Sequence, residues 1–267
     1  MTRSRISRRL GREKQHTAFW YIAVTALALV AAGFMYYISP SALERDTLCP
    51  SKGPNGHVIL LVDKTDPLSF TQRQAFEVLI RDIATTKVRA GELLTVFALP
   101  EDYKAAATPI FRLCRPDDGQ NANPLFQSPE KMRKRFSEKF IGQLDQVAQE
   151  LQATEPAKYS PIFEMLQLVN ITGFRKEAVN GPRRLIVVSD MLHNTPQFSQ
   201  YRDTRQFSEI ESLEYIKQLR ADFDGAAVEL VYIMHSPGLQ TRGHAKFWED
   251  YFNRMNGRLT AVRLLEN

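Results

Sequence analysis

The 267 residues suffice for one good-sized domain plus a short accessory segment, and 43% hydrophobic with 24% charged residues is ordinary core-forming material. The net charge of +5 is confined to residues 1–18, where Arg3, Arg5, Arg8, Arg9, Arg12 and Lys14 face only Glu13, so 29 basic and 29 acidic residues balance beyond them. A neutral domain has no overall electrostatic claim on a phosphate backbone, so nucleic acid is not an expected partner.

The basic tail leads into Phe19–Ile38, twenty apolar residues with no Asp, Glu, Lys or Arg between Lys14 and Glu44. At 1.5 Å per residue this stretch covers about 30 Å, the thickness of a bilayer's hydrocarbon layer. Trp20 and Tyr21 at one end and Tyr36 and Tyr37 at the other fit the two interfaces. The alternatives are a buried core helix, which seldom lacks polar positions for so long, and a cleaved signal peptide. The stretch exceeds the usual roughly 7–15 residues of a signal's apolar region, and Ser41-Ala42 after Pro40 makes a poor cleavage site. The expectation is a single-pass transmembrane helix over 19–38 with the basic tail (1–18) in the cytoplasm. The rest of the chain is then periplasmic or extracellular. Cys49 and Cys114 both lie in that exported part, where they are expected to form a disulfide; in a reducing compartment they would be two free thiols.

Residues 39–56, broken by Pro40, Pro50, Gly53, Pro54 and Gly56, read as a linker to a domain over 57–267. His57–Asp63 is a continuous apolar run ending in a carboxylate, the pattern of a strand buried on both faces. Ser69-x-x-Gln72 is a capping box opening a helix to about Thr85, with Phe76, Leu79, Ile80 and Ile83 as its stripe. Strands follow at 93–98 and, shorter, at 109–114. The turn Asp117-Asp118-Gly119 lacks the downstream Glu of a calcium loop and reads as a solvated turn. Ser128-Pro129 and Ser160-Pro161 each open a helix by the cap and first-turn proline rule. Arg184–Asp190 is a second buried strand ending in a carboxylate. Then come a long loop (191–207), a helix near 208–221, a strand at 228–234, a helix at 244–255 stopped by Asn256-Gly257, and a strand at 259–265. The alternation predicts an α/β fold: a doubly wound, mostly parallel six-stranded sheet with helices on both faces. Asp63 and Asp190 then stand at strand carboxyl ends, where wound sheets bind their ligands.

This pattern resembles the von Willebrand factor A-type domain over 57–265. That family's opening strand ends in Asp-x-Ser-x-Ser, a later loop contributes a Thr before a helix, and the fourth strand ends in Asp, commonly within Ser-Asp-Gly. Here Asp63-Lys64-Thr65-Asp66-Pro67, Ser160 and Ser189-Asp190-Met191 occupy those places, with Pro67 and Met191 departing from the pattern. The resemblance implies a metal-ion-dependent adhesion site for Mg²⁺ or another divalent cation on Asp63, Thr65, Ser160 and Asp190. Asp66 and Ser69 are the nearby candidates for the hydroxyl lost at Pro67, although neither sits at the family's position. The alternative is that these residues only cap turns and strand ends. The resemblance also implies that the short strand near 109–114 runs antiparallel at the sheet edge, where Cys49 can reach Cys114.

Three functions follow for comparison. A protein-binding module would use the crevice and the loop after it, where His193, Asn194, Phe198, Tyr201, Arg202 and Arg205 mix aromatic and arginine side chains as interfaces do. A phosphoesterase of the Asp-x-Asp type would need an acid where Thr65 stands. The chain has no P-loop, dinucleotide fingerprint or Gly-x-Ser-x-Gly elbow, and His16, His57, His193, His235 and His244 show no zinc-like spacing. No enzyme and no small-molecule substrate are therefore expected. A metal-free structural subunit of an envelope complex is the third reading, with Ala28, Ala31, Ala32 and Gly33 as small residues for helix pairing.

Overall fold

Most apolar runs between residues 57 and 265 form the element their period dictates in the computed structural model, which describes residues 20–33, 43–123, 127–153, 156–177, 179 and 181–265. Two units are present, one ending at Ala42 and one running from Leu43 to Asn267.

In the first unit residues 20–33 form helix α1, whose side chains are exposed throughout. Its 14 residues extend only about 21 Å, and among the described residues no helix is long and apolar enough to cross a membrane. The basic tail, Phe19, 34–38 and the first part of the linker (39–42) lie outside the described residues.

In the second unit β1 (His57–Asp63), β2 (Leu93–Leu99), β3 (Phe111–Cys114), β4 (Arg183–Ser189), β5 (Ala227–Tyr232) and β6 (Arg258–Leu264) make one sheet in the order β3-β2-β1-β4-β5-β6. All neighbours pair in parallel except β2 and β3, so the expected mostly parallel sheet with an antiparallel edge is what forms. Alternate residues of β1 feed opposite cores. Ile59 and Leu61 pack with α5 (Ile162–Val169), α6 (Phe207–Ile210) and α8 (Arg242–Arg254), while Val58, Leu60 and Val62 pack with α2 (Phe70–Asp82) and α4 (Gly142–Gln152). A strand buried on both faces needs apolar residues at every position, which is why β1 shows no alternation.

The capping box forms as expected: Gln72 N donates to Ser69 Oγ (3.2 Å) and Ser69 N to Gln72 Oε1 (2.8 Å). Helix α2 then loosens into a π-type turn at Ile83–Lys87. The segment opened by Pro129 runs as α3 (Pro129–Arg135), a π-type stretch (Phe136–Ile141) and α4, but the Ser128 side chain makes no cap bond. The helix expected near 208–221 is instead two short pieces, α6 and α7 (Glu214–Gln218), with Leu213 extended between them. Its apolar positions 210, 213, 216 and 219 recur every three residues, and on a 3.6-residue helix such a stripe winds off the core. Breaking the helix keeps Ile210 and Ile216 buried.

Residues 43–56, expected as linker, are folded onto the domain from Leu43. Leu43 bridges to Pro50, Cys114 N donates to Thr47 O (2.8 Å), and Cys49 is disulfide-bonded to Cys114 at the outer end of β3. The pairing expected from the sequence is thus present.

Candidate functional site at the sheet switch point

The strand order reverses between β1 and β4, which are hydrogen-bonded neighbours. Asp63 ends β1 and Asp190 follows the last residue of β4, so the two carboxylates meet in the crevice where wound sheets bind ligands.

Asp63 is a hub of hydroxyls. Its Oδ1 accepts from Thr65 N (2.9 Å) and Thr65 Oγ1 (2.7 Å), and its Oδ2 from Ser189 Oγ (2.6 Å) and, more loosely, Ser160 Oγ (3.4 Å). The three hydroxyl residues selected for, or standing beside, the cation set are thus drawn together on this one carboxylate. Ser160 was expected to cap α5; the cap position is taken by Pro161 without a side-chain bond, and the Ser160 side chain turns to Asp63 instead. Ser69 is spent on its capping box.

Asp190 is almost wholly buried. Its Oδ1 accepts from Leu192 N (2.8 Å) and its Oδ2 a long bond from Tyr201 OH (3.5 Å). Burial pushes Asp190 up to about 8, with the charge of Asp63 adding to the shift. Burial likewise raises Asp63, against the hydroxyl donors that favour its charged form. The crevice is therefore short of positive charge: two carboxyls share a low-dielectric space, and each makes ionising the other harder.

Met191, where the related pattern has Gly, lies fully buried with φ of 59°. The backbone takes the left-handed conformation here and accepts its strain, because the Met side chain fills the core beneath α8. Met191 O in turn accepts from Trp248 Nε1 (2.9 Å) and bonds His244 Nε2 (3.1 Å).

The loop after Asp190 differs from the expected partner-binding surface. Ser160 and Asn194 exchange backbone bonds (2.8 and 3.0 Å), which zips the loop to the approach of α5. His193 is pulled fully inside, with Nδ1 accepting from Phe163 N (3.4 Å) and Nε2 beside Thr195 Oγ1 (3.3 Å) and Tyr215 OH (3.2 Å). Burial lowers His193 to about 3, so the ring is neutral. Phe198 is also buried, and Asn194 is half-buried with its amide on Lys158 O (3.0 Å). His193 and Phe198 therefore present nothing to a partner, a correction to the sequence reading. Tyr201, Arg202 and Arg205 are exposed, though Arg202 bonds Thr195 O (3.1 Å) and Arg205 is paired with Asp203.

Two residues with no signal in the sequence complete the crevice. His235, just beyond β5, places Nδ1 3.9 Å from Asp66 Oδ2 and 4.0 Å from Asp190 Oδ2. Gln240 braces it: Oε1 accepts from His235 N (3.0 Å) and Ser236 N (2.8 Å), while Nε2 donates to Asp190 O (3.1 Å) and Ile233 O (2.8 Å). Asp66, Asp190 and His235 bring one ligand-type atom each to within 4.8 Å of one another.

No protein-family model matches the chain, and no curated protein matches it either. Among solved structures, it is similar to a von Willebrand factor type A protein from Catenulispora acidiphila, at 13% identity and a TM-score of 0.40, over 79% of this chain and 39% of that one. It is also similar to the human COPII-coat protein Sec24c, at 9% identity and a TM-score of 0.37, over 79% of this chain and 30% of that one. The chain thus spans well under half the length of either.

Proposed function

We propose that this chain is a membrane-tethered protein-binding module of the von Willebrand A type, exposed outside the cytoplasmic membrane and acting within an envelope or membrane complex. The observation that carries the reading is the meeting of Asp63 and Asp190 at the switch point, with Tyr201 exposed on its rim and Arg202, next in the chain, also exposed. An exposed aromatic and an arginine beside a polar crevice are what a partner's side chains engage best. A divalent cation at the carboxylates would offset their repulsion and leave coordination positions for a partner's acidic group.

The anchor is supported by the uninterrupted apolar stretch 19–38 behind a basic tail. The Cys49–Cys114 disulfide supports an oxidising compartment for the domain. Binding is favoured over hydrolysis because Thr65 stands where an Asp-x-Asp hydrolase carries its acid, and its hydroxyl is given to Asp63. One observation favours the metal-free structural subunit as a second reading: both oxygens of Asp63 are already satisfied by protein donors.

Photo-crosslinking amino acids introduced at Tyr201 and Arg202 test the module in intact cells. The expected result is a discrete adduct in the carbonate-resistant membrane fraction, with the domain digested by external protease once any outer membrane has been opened and the cytoplasmic membrane left intact. Adducts that persist under chelation favour the structural subunit. A domain protected from external protease, or no adduct from either position, refutes the proposal.

A further inference from the structure

We infer that Asp66, Asp190 and His235 form a binding site for a divalent transition ion of the Zn²⁺ and Co²⁺ class. The inference rests on the reading of this crevice as a cation-holding face, and it assigns that face a ligand set and an ion that the adhesion-site resemblance does not supply.

Three observations carry it. The first is chemical. The resemblance implies an all-oxygen site suited to Mg²⁺, but the groups that converge at the crevice mouth are two carboxylates and an imidazole. Imidazole is a ligand for zinc and its neighbours in the transition series, whereas Mg²⁺ is bound through oxygen. The carboxylate at the crevice floor, Asp63, already accepts from Ser189, Thr65 and Ser160, so the site shifts outward to Asp66.

The second is an unsatisfied group. Both ring nitrogens of His235 are shielded from solvent and have no hydrogen-bond partner among the described residues. The carboxylate oxygens at 3.9 and 4.0 Å are too far for a hydrogen bond, which wants about 2.9 Å. Buried polar atoms without partners are uncommon and call for an occupant. An ion fits the gap. Ligands bonded tetrahedrally at about 2.0 Å stand about 3.3 Å apart, so atoms that lie within 4.8 Å of one another need to close by at most about 1.5 Å. Asp66, 44% exposed at its side chain and set on the turn after β1, has the freedom to supply its share of that movement, and the remaining 4.0 Å between His235 and Asp190 closes by small side-chain rotations.

The third is the brace. The Gln240 amide ties the backbone of His235 to the carbonyl of Asp190, fixing two of the three ligands to each other through one buried side chain. Outer groups of this kind hold ligands in place before an ion arrives. Three protein ligands from the ends of β1, β4 and β5 leave a fourth position facing outward, open to water or to a carboxylate from a partner.

The test is a Co²⁺ titration of the full chain in detergent, read by visible ligand-field absorption. A band is expected that one equivalent of Zn²⁺ removes and a large excess of Mg²⁺ leaves unchanged. Asp66→Asn and His235→Gln should each weaken Co²⁺ binding by at least the roughly 10–100-fold that loss of a mere outer-shell partner costs. Both side chains lie at the rim, and unchanged circular dichroism and urea midpoints without metal confirm that the variants fold. Displacement of Co²⁺ by Mg²⁺ as readily as by Zn²⁺ overturns the ion assignment while leaving a cation-dependent face intact. Binding undiminished in both variants belongs to other groups, such as His16 of the tail, and overturns the site. Absence of any band overturns the site, while the cation part of the proposed function is read separately from whether Mg²⁺ raises the melting temperature.

Discussion

Reduction of the Cys49–Cys114 bridge is the perturbation whose size follows most directly from the fold. The bond closes a loop with a sequence separation of 65 residues, running from the folded entry segment through β1, α2 and β2 to the end of β3. In the chain-entropy model, releasing a loop of that length returns about 4 kcal/mol of freedom to the unfolded state. For a domain of this size, each kcal/mol moves the melting temperature by about 2–4 °C, so reduction should lower it by about 8–16 °C. Trp248 is fully buried and reports unfolding by fluorescence; the second tryptophan, Trp20, lies in the exposed α1 and is removed as Trp20→Phe. Urea titrations with and without reductant should differ by about 4 kcal/mol, with a steeper transition when reduced because the freed unfolded chain exposes more surface. The loss has a local signature as well. Cys114 N bonded to Thr47 O and Glu44 N bonded to Cys49 O should lose hydrogen-exchange protection first, since the bond holds that segment to the sheet edge. Two titratable thiols with an unchanged midpoint would refute the reasoning, because the segment would then be held by packing alone.

Ser189→Ala removes a donor to Asp63 (2.6 Å) and an acceptor for Met191 N (2.7 Å), both buried, and should cost about 2–4 kcal/mol in urea titrations. Met191→Gly should relieve about 1–2 kcal/mol of left-handed strain but forfeit about 2–5 kcal/mol of buried side chain, so the variant is expected to be less stable; a stabilised variant would show that the side chain does not pack as described. His57 is held at about 4 by burial, against 6.5 when unfolded, so its contribution is fully present above pH 6.5 and is lost as pH falls toward 4. Between those limits the stability of the wild type should fall more steeply than that of His57→Gln by about 1.4 kcal/mol per pH unit, and equal slopes would refute the assignment.

How far the fold was legible depended on whether the signal was local. The runs His57–Asp63 and Arg184–Asp190 announce strands covered on both faces because such strands need apolar residues throughout, and both form there. The Ser69 capping box is a three-residue signal and is found intact. The broken helix after residue 206 was missed because apolar spacing of three mimics a stripe over one or two turns and fails only over a longer run. The burial of His193 and Phe198 was missed because it depends on Ser160 and Asn194 pairing across 34 residues, and nothing local in residues 191–207 records that pairing. The third crevice ligand was invisible for the same reason. His235 has no spacing relation to Asp66 or Asp190, and only the adjacency of β1, β4 and β5 brings it in.

The division of labour between Asp63 and Asp66 follows from their surroundings. A carboxylate buried at the end of β1 would be costly alone, and Thr65, Ser160 and Ser189 supply the donors that make its charge tolerable. Those hydroxyls sit on three separate segments, so the carboxylate they share ties the turn after β1 to the entry of α5 and the end of β4. Asp63 thus acts mainly as a knot in the fold, and losing it should loosen all three segments together. Asp66, three residues on, has no such hydroxyl donors among the described residues and is half-exposed, so its loss leaves the knot tied. A Pro at position 67 is compatible with this arrangement, because the ligand lost there is one the outward-shifted site does not use. The same short turn can therefore serve stability through one aspartate and ion binding through the other, and the two roles are separable by mutation.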